Sequence, residues 1–160
     1  MNTKLISVIG GASADPVEIA WAAELGGLLA DHGFTVICGG GTGVMEAVCR
    51  GTSEKGGRSI GILRGTDPLE ANRWVDTVIP TGLGTSRNRI IILSGKVVVA
   101  VGGKYGTLSE IAYALQAGKP VCAIGKWSGI DGVVPVSSPE EALDFIIKNS
   151  RGDLCLPLRN

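Results

Sequence analysis

The chain has 160 residues, with 15 Lys+Arg balanced by 15 Asp+Glu, one His, four Cys and 25 Gly. That length suits one domain, 1–160, that can bury a core without disulfide or metal staples. Zero formal charge gives no electrostatic reason for a polyanion or an anionic membrane as partner, so neither nucleic acid nor membrane is expected.

Met1-Asn2-Thr3-Lys4 leads straight into the apolar run Leu5–Ile9, without the long apolar core and cleavage site of a signal peptide. No apolar run approaches the ~20 residues that span a bilayer. Leu5–Ile9 reads as a buried strand ending at Gly10-Gly11. Asp15-Pro16-Val17-Glu18 opens a helix, with Asp15 as N-cap, Pro16 at the first helical position and Glu18 closing a capping box. Ile19, Ala22, Ala23, Gly26, Leu29 and Ala30 form its buried stripe, and Gly26-Gly27 predicts close packing of this helix on a sheet. His32 and Gly33 end the helix, the imidazole meeting its last carbonyls.

Phe34–Cys38 is the second strand, Gly39–Gly43 a turn, and Val44 to about Ser53 a helix. Strands follow at Ser59–Leu63 and Thr77–Ile79, then a helix over Ser86–Leu93. Lys96–Val101 is the most apolar strand and runs into Gly102–Thr107 and a helix over Leu108–Ala117. Pro120–Ile124 and Val133–Val136 are the last strands, and Ser138-Pro139-Glu140-Glu141 caps a final helix to about Lys148. Apolar strands alternating with helices predict a single-domain, Rossmann-like, doubly wound α/β fold: a mainly parallel sheet of about seven strands with helices on both faces. The apolar tail Leu154–Leu158 is expected to cover the body or a second subunit. Cys38, Cys49, Cys122 and Cys155 form no CxxC pair and read as reduced thiols of a cytoplasmic protein. One histidine excludes a His-rich metal site, so no metal is expected.

Three loops fall at strand ends, where doubly wound sheets bind ligands: Gly10–Ser13, Gly39–Gly43 and Gly102–Thr107. Their small residues let backbone N–H groups approach a ligand, and the last two open helices whose positive ends favour a phosphate. No stretch satisfies GxxxxGK[ST], none completes GxGxxG, and the second strand ends in Cys38-Gly39 where a dinucleotide binder would place an acid. A P-loop triphosphatase and a standard NAD or FAD site are therefore disfavoured.

Gly102-Gly103-Lys104-Tyr105-Gly106-Thr107-Leu108-Ser109-Glu110 resembles the PGGxGTxxE signature of the LOG family of nucleoside 5'-monophosphate phosphoribohydrolases, often mislabelled lysine decarboxylases. Gly39–Met45 is similar to that family's GGGxxGLM loop, and Arg87 stands at its signature arginine. The resemblance runs from Ile6 to about Ile124 and is nearest to the DprA/Smf-related family 1 branch, which includes molybdenum cofactor carriers. It implies phosphate cradling by the backbone of Gly103, Lys104, Tyr105 and Gly106 and the Thr107 hydroxyl, with Gly40, Gly41, Thr42, Gly43 and Met45 lining the same pocket and Arg87 and Glu110 as the catalytic pair. Gly11, Ala12 and Ser13 join the pocket by their place at a strand end, and Tyr105 either stacks on a base or pterin or fills the loop. In N-glycosidic cleavage the carboxylate would stabilise an oxocarbenium-like centre and position water, while the arginine holds an anion or the leaving base.

The sequence departs from the family pattern at four points. Gly102 replaces the proline, Lys104 replaces a glycine, the second loop is one residue shorter, and Asn88 stands where a lysine follows the arginine. These changes retain the cradle and alter the catalytic neighbourhood. The leading expectation is a binding protein for a nucleotide or a phosphorylated pterin such as the molybdenum cofactor, with no turnover and no required cofactor. A phosphoribohydrolase using Arg87 and Glu110 is the alternative. Single-stranded DNA binding comes third, because Ser86–Ile91 is similar to the RNRII stretch of DprA proteins, which bind single strands. No residue identifies a pyridoxal-phosphate lysine, so lysine decarboxylation is set aside. The resemblance also implies a homodimer or homotetramer.

Overall fold

A computed structural model describes residues 4–150. Seven strands form one sheet: β1 (Leu5–Gly10), β2 (Thr35–Cys38), β3 (Arg58–Leu63), β4 (Thr77–Pro80), β5 (Val97–Val101), β6 (Val121–Ile124) and β7 (Val133–Pro135). Their order is β4-β3-β2-β1-β5-β6-β7, and every pairing is parallel. The helices are α1 (Pro16–Asp31), α2 (Val44–Glu54), α3 (Asn88–Ser94), α4 (Tyr105–Gln116) and α5 (Pro139–Ser150). The expected doubly wound α/β architecture is the one observed.

Strand residues alternate between two cores, as the period of two requires. Ile6, Val8, Val36, Val97 and Val99 face α1, α2 and α5; Ile9, Ile37, Val98, Ala100 and Val121 face α3 and α4. All five residues of β5 are buried, so burial on both faces explains its unbroken apolar run. Chain order reverses at β1, which pairs with β2 on one side and β5 on the other. The crevice of such a sheet opens beyond the carboxyl ends of these two strands.

The capping box of α1 forms as the sequence predicts: Asp15 accepts from the amides of Val17 and Glu18, and Glu18 accepts from the Asp15 amide. His32 Nδ1 lies 2.9 Å from the Leu28 carbonyl oxygen at the other end. The glycines inside α1 act differently from the expectation. A Cβ at Gly26 would overlap the Val48 carbonyl and touch Thr52, both on α2, and one at Gly51 would overlap the Ala23 carbonyl of α1. These glycines let two helices on the same face of the sheet approach at backbone distance, so the close neighbour is α2 and not the sheet. Thr52 ties the contact by donating to the carbonyls of Gly26 and Val48, at 3.2 and 2.8 Å.

Cys38, Cys49 and Cys122 are buried free thiols. Cys38 and Cys49 touch, Sγ to Sγ 3.6 Å. Cys155 and the apolar segment Leu154–Leu158 lie outside the described residues.

Candidate functional site

A cavity of about 260 Å³ opens at the carboxyl ends of β1 and β5. Its walls bring together Gly11, Ala12 and Ser13 after β1, Gly39 and Met45 around the start of α2, Lys104, Gly106 and Thr107 at the start of α4, and the side chains of Arg87 and Glu110. Val8, Ile9 and Gly10 of β1, Arg64 just after β3, and Asn88 complete the lining. Thus Gly11, Ala12, Ser13, Met45, Arg87, Lys104, Gly106, Thr107 and Glu110 converge as the sequence led us to expect.

Gly40, Gly41, Thr42, Gly43, Gly103 and Tyr105 do not line the cavity. The second glycine loop is instead sewn to the first. Thr42 Oγ1 donates to the Ala12 carbonyl at 3.0 Å, the Val44 amide donates to the Gly11 carbonyl at 3.0 Å, and a Cβ at Gly43 would overlap that same carbonyl. Gly43 also has φ +68, where L side chains are strained. The first amide of α2 is therefore spent on Gly11. Tyr105 is 84% exposed and does not line the cavity.

The start of α4 is arranged otherwise. The helix begins at Tyr105, three residues earlier than the sequence suggests, so Tyr105, Gly106 and Thr107 form its first turn. The first amide bonded back along the chain is that of Leu108, which donates to the Lys104 carbonyl at 3.1 Å. No side chain caps this end, whereas Asp15 caps α1. The amides before Leu108 have no helical acceptor, and they carry the positive end of the helix dipole. Gly103, at φ +87, lets the chain turn into the helix: a Cβ there would overlap Thr107 Oγ1. Trp127 steadies the same turn from outside by donating its indole N–H to the Gly102 carbonyl at 2.8 Å.

Arg87 and Glu110 face one another with Arg87 Nη1 3.9 Å from Glu110 Oε1. Both are nearly closed to solvent, at 5% and 6% exposure. Arg87 Nη1 donates to Asn88 Oδ1 at 2.8 Å, but its Nε is buried without a partner. A Cβ at Gly39 would lie 2.6 Å from Arg87 Nη2 and 2.7 Å from Met45 Sδ, so the missing side chain there is what admits the guanidinium. Burial pulls the Arg87 guanidinium below its usual range, against the attraction of Glu110. Burial pushes the Glu110 carboxyl up from 4.5 to about 7, against the pull of the Arg87 and Arg64 charges. Desolvation exceeds the ion-pair attraction for both partners, as expected for a buried pair at a separation too long for a hydrogen bond. Near neutral pH Glu110 is then shared between its two protonation states. It can take or give a proton at a reacting group beside it.

Two residues escaped the sequence reading. Arg64 follows the apolar run of β3 at a strand end, the same position that singled out the glycine loops, and that rule would have found it. Asn72 carries no such signal. Its Nδ2 donates to the Gly40 and Gly41 carbonyls, at 3.1 and 2.8 Å, and its amide to the Gly40 carbonyl at 2.8 Å. It holds the second glycine loop from behind, across a sequence gap that only the fold closes.

Residues 3–152 match the SLOG cluster4 family. An uncharacterized protein of Archaeoglobus fulgidus is 39% identical over 94% of this chain and 99% of its own length. The molybdenum cofactor binding protein of Rippkaea orientalis superposes with a TM-score of 0.88 at 36% identity, covering 92% of this chain and 98% of that one. The molybdenum cofactor carrier protein of Chlamydomonas reinhardtii gives 0.81 at 34%, covering 91% and 96%. More distantly, a cytokinin riboside 5'-monophosphate phosphoribohydrolase of Mycobacterium tuberculosis is 28% identical over 80% of this chain and 74% of that protein. The Helicobacter pylori DNA processing protein A, known for its single-stranded DNA binding mode, shares the fold at TM-score 0.73 and 16% identity, covering 92% of this chain and 81% of that one. The expectation that nucleic acid is no partner draws no support from that fold. Among the described residues, no helix is long and apolar enough to cross a membrane.

Proposed function

The chain belongs to the SLOG cluster4 family, and from that premise we propose that it binds a small phosphorylated ligand, a nucleotide or a phosphorylated pterin, in the manner of a molybdenum cofactor carrier. The observation that carries this reading is a buried guanidinium with one N–H left without an acceptor, in a cavity it shares with an uncapped helix start. Arg87 Nε has no acceptor, and Gly106 and Thr107 at the head of α4 line the same space. An unsatisfied buried donor costs about 1–3 kcal/mol, more when charged. A phosphoryl oxygen there would relieve that cost while meeting the helix dipole. The cavity, about 260 Å³, is at the small end for ligand pockets, so it suits the phosphorylated end of a ligand whose remainder extends past Arg64. The cofactor is cargo in this scheme. The chain's residues hold its phosphate, exclude water at Arg87 and Glu110, and leave its metal chemistry alone. A cytoplasmic location and self-association in twos or fours are parts of the same proposal.

Thermal unfolding with AMP, GMP, CMP and a phosphorylated pterin tests this reading. A saturable rise in Tm with one of them is the expected result, by mass action on the folded state. No rise with any of them overturns it.

One observation favours turnover as a second reading: Glu110, at about 7, is poised for proton transfer beside Arg87. A phosphoribohydrolase would release free base and ribose 5-phosphate from a nucleoside monophosphate. Chromatography of such incubations shows free base if this is so, and Glu110→Gln abolishes it. The Ser86–Ile91 stretch offers less to DNA, because Arg87 and Asn88 are buried and bonded to each other and Arg89 lies 5.5 Å over the Tyr113 ring. A gel shift with single-stranded DNA tests that third reading directly.

A further inference from the structure

Three cationic side chains, Arg64, Arg87 and Lys104, line the cavity against one carboxyl, Glu110. Arg87 is fixed at the back by Gly39, Asn88 and Glu110. Lys104 stands at the head of α4, beside the proposed phosphate. Arg64 is different. It is exposed, its guanidinium makes no hydrogen bond or ion pair among the described residues, and it enters the cavity from the far side. β3, which carries it, is separated from β5 by β2 and β1. Three strand spacings amount to roughly 14 Å between the strand that delivers α4 and the strand that delivers Arg64. Arg64 thus reaches the cavity from the side opposite the head of α4, and a phosphate held by Gly106, Thr107 and Arg87 gives its guanidinium no partner of its own.

We infer that the ligand carries a second anionic group, a phosphate or carboxylate set off from the first by about the width of a sugar, and that Arg64 is the specificity residue that takes it. This rests on the reading of the cavity as a phosphate site. The charge count agrees with it. With Glu110 ionised the walls carry a net charge of +2, and with Glu110 protonated +3, from the three cations and one acid that line them. A phosphomonoester supplies about −1.5 to −2 at neutral pH, leaving a cation to spare in the protonated state. The charge of Arg64 also acts on Arg87 and on Glu110, which places it within electrostatic reach of the centre of the site. A guanidinium presents two parallel donors that match a carboxylate or phosphate edge.

The test compares two probes at one ionic strength, ribose 5-phosphate and ribose 1,5-bisphosphate, by calorimetric titration of the wild type, Arg64→Gln and Arg64→Lys. The wild type is expected to bind the bisphosphate roughly tenfold or more tightly than the monophosphate, the scale of one charge-assisted pair. Arg64→Gln should lose that preference, the loss of affinity falling mainly on the bisphosphate, and should leave Tm unchanged because the side chain is exposed. Arg64→Lys should restore part of the preference, since the charge returns without the fork. Binding of both probes with equal affinity by the wild type overturns the inference and leaves the phosphate site standing. So does an equal loss for both probes in Arg64→Gln. If the wild type binds neither probe, the phosphate reading itself falls.

Discussion

Replacing Glu110 by Gln should make the folded protein more stable, by an amount that grows from pH 4.5 upward and levels off above about pH 8. Glu110 is held at about 7 in the fold against an ordinary 4.5, because burial outweighs the attraction of Arg87. Between those two values the folded chain keeps a proton that the unfolded chain has lost, so stability falls as pH rises through that window. A displacement of that size corresponds to about 3 kcal/mol, fully exerted above pH 8 and absent below pH 4.5. Gln copies the protonated carboxyl and removes the titration. For a domain of this length the difference amounts to roughly 6–12 °C in Tm at pH 8, with the variant higher, shrinking to nothing near pH 4.5. Thermal unfolding of both proteins by circular dichroism from pH 4.5 to 9 measures it. A difference in Tm that does not change with pH would mean that Glu110 does not ionise in the buried pair described above. A destabilised variant at pH 8 would mean that the Arg87–Glu110 attraction outweighs desolvation after all.

Two further substitutions probe the glycine loops. A Cβ at Gly106 meets nothing within 4 Å, and the residue lies in the first turn of α4. Gly106→Ala should therefore stabilise the fold by about 0.5–1 kcal/mol through helix propensity, raising Tm by roughly 1–4 °C. The same methyl enters the cavity, so the Kd for ribose 5-phosphate should rise severalfold in a titration; a raised Tm with unchanged affinity contradicts the placement of the phosphate. Asn72→Ala removes the side-chain bonds to the Gly40 and Gly41 carbonyls and should cost about 1–3 kcal/mol in a urea titration. A loss below half a kilocalorie would show that the loop holds itself.

Elements whose signals are local were legible in the sequence. The capping box at Asp15-Pro16-Val17-Glu18, the apolar run of β5 and the glycine-ended strands each depend on neighbours a few residues away, and each forms where it was expected. What was misread depends on partners far along the chain. Gly26 and Gly51 look alike as helix-weakening residues, and only the packing of α1 on α2 shows that they serve one contact. The second glycine loop looks as able to hold an anion as the third. Its first helical amide is already committed to Gly11, a bond across the switch point that no spacing reveals. The early start of α4 was hidden because Gly106 disfavours helix by itself, and the tertiary setting overrides that preference. Arg87 and Glu110 were found through the motif, whereas their burial, which sets their chemistry, belongs to the fold.

The most direct test follows individual amides. In a 15N-resolved NMR titration with ribose 5-phosphate, the amides of Gly106 and Thr107 and the Nε–H of Arg87 should shift together and saturate on one binding curve, while residues of α5 on the opposite face stay still. Saturable binding that moves other amides and leaves those three unmoved would show that the phosphoryl group is held elsewhere.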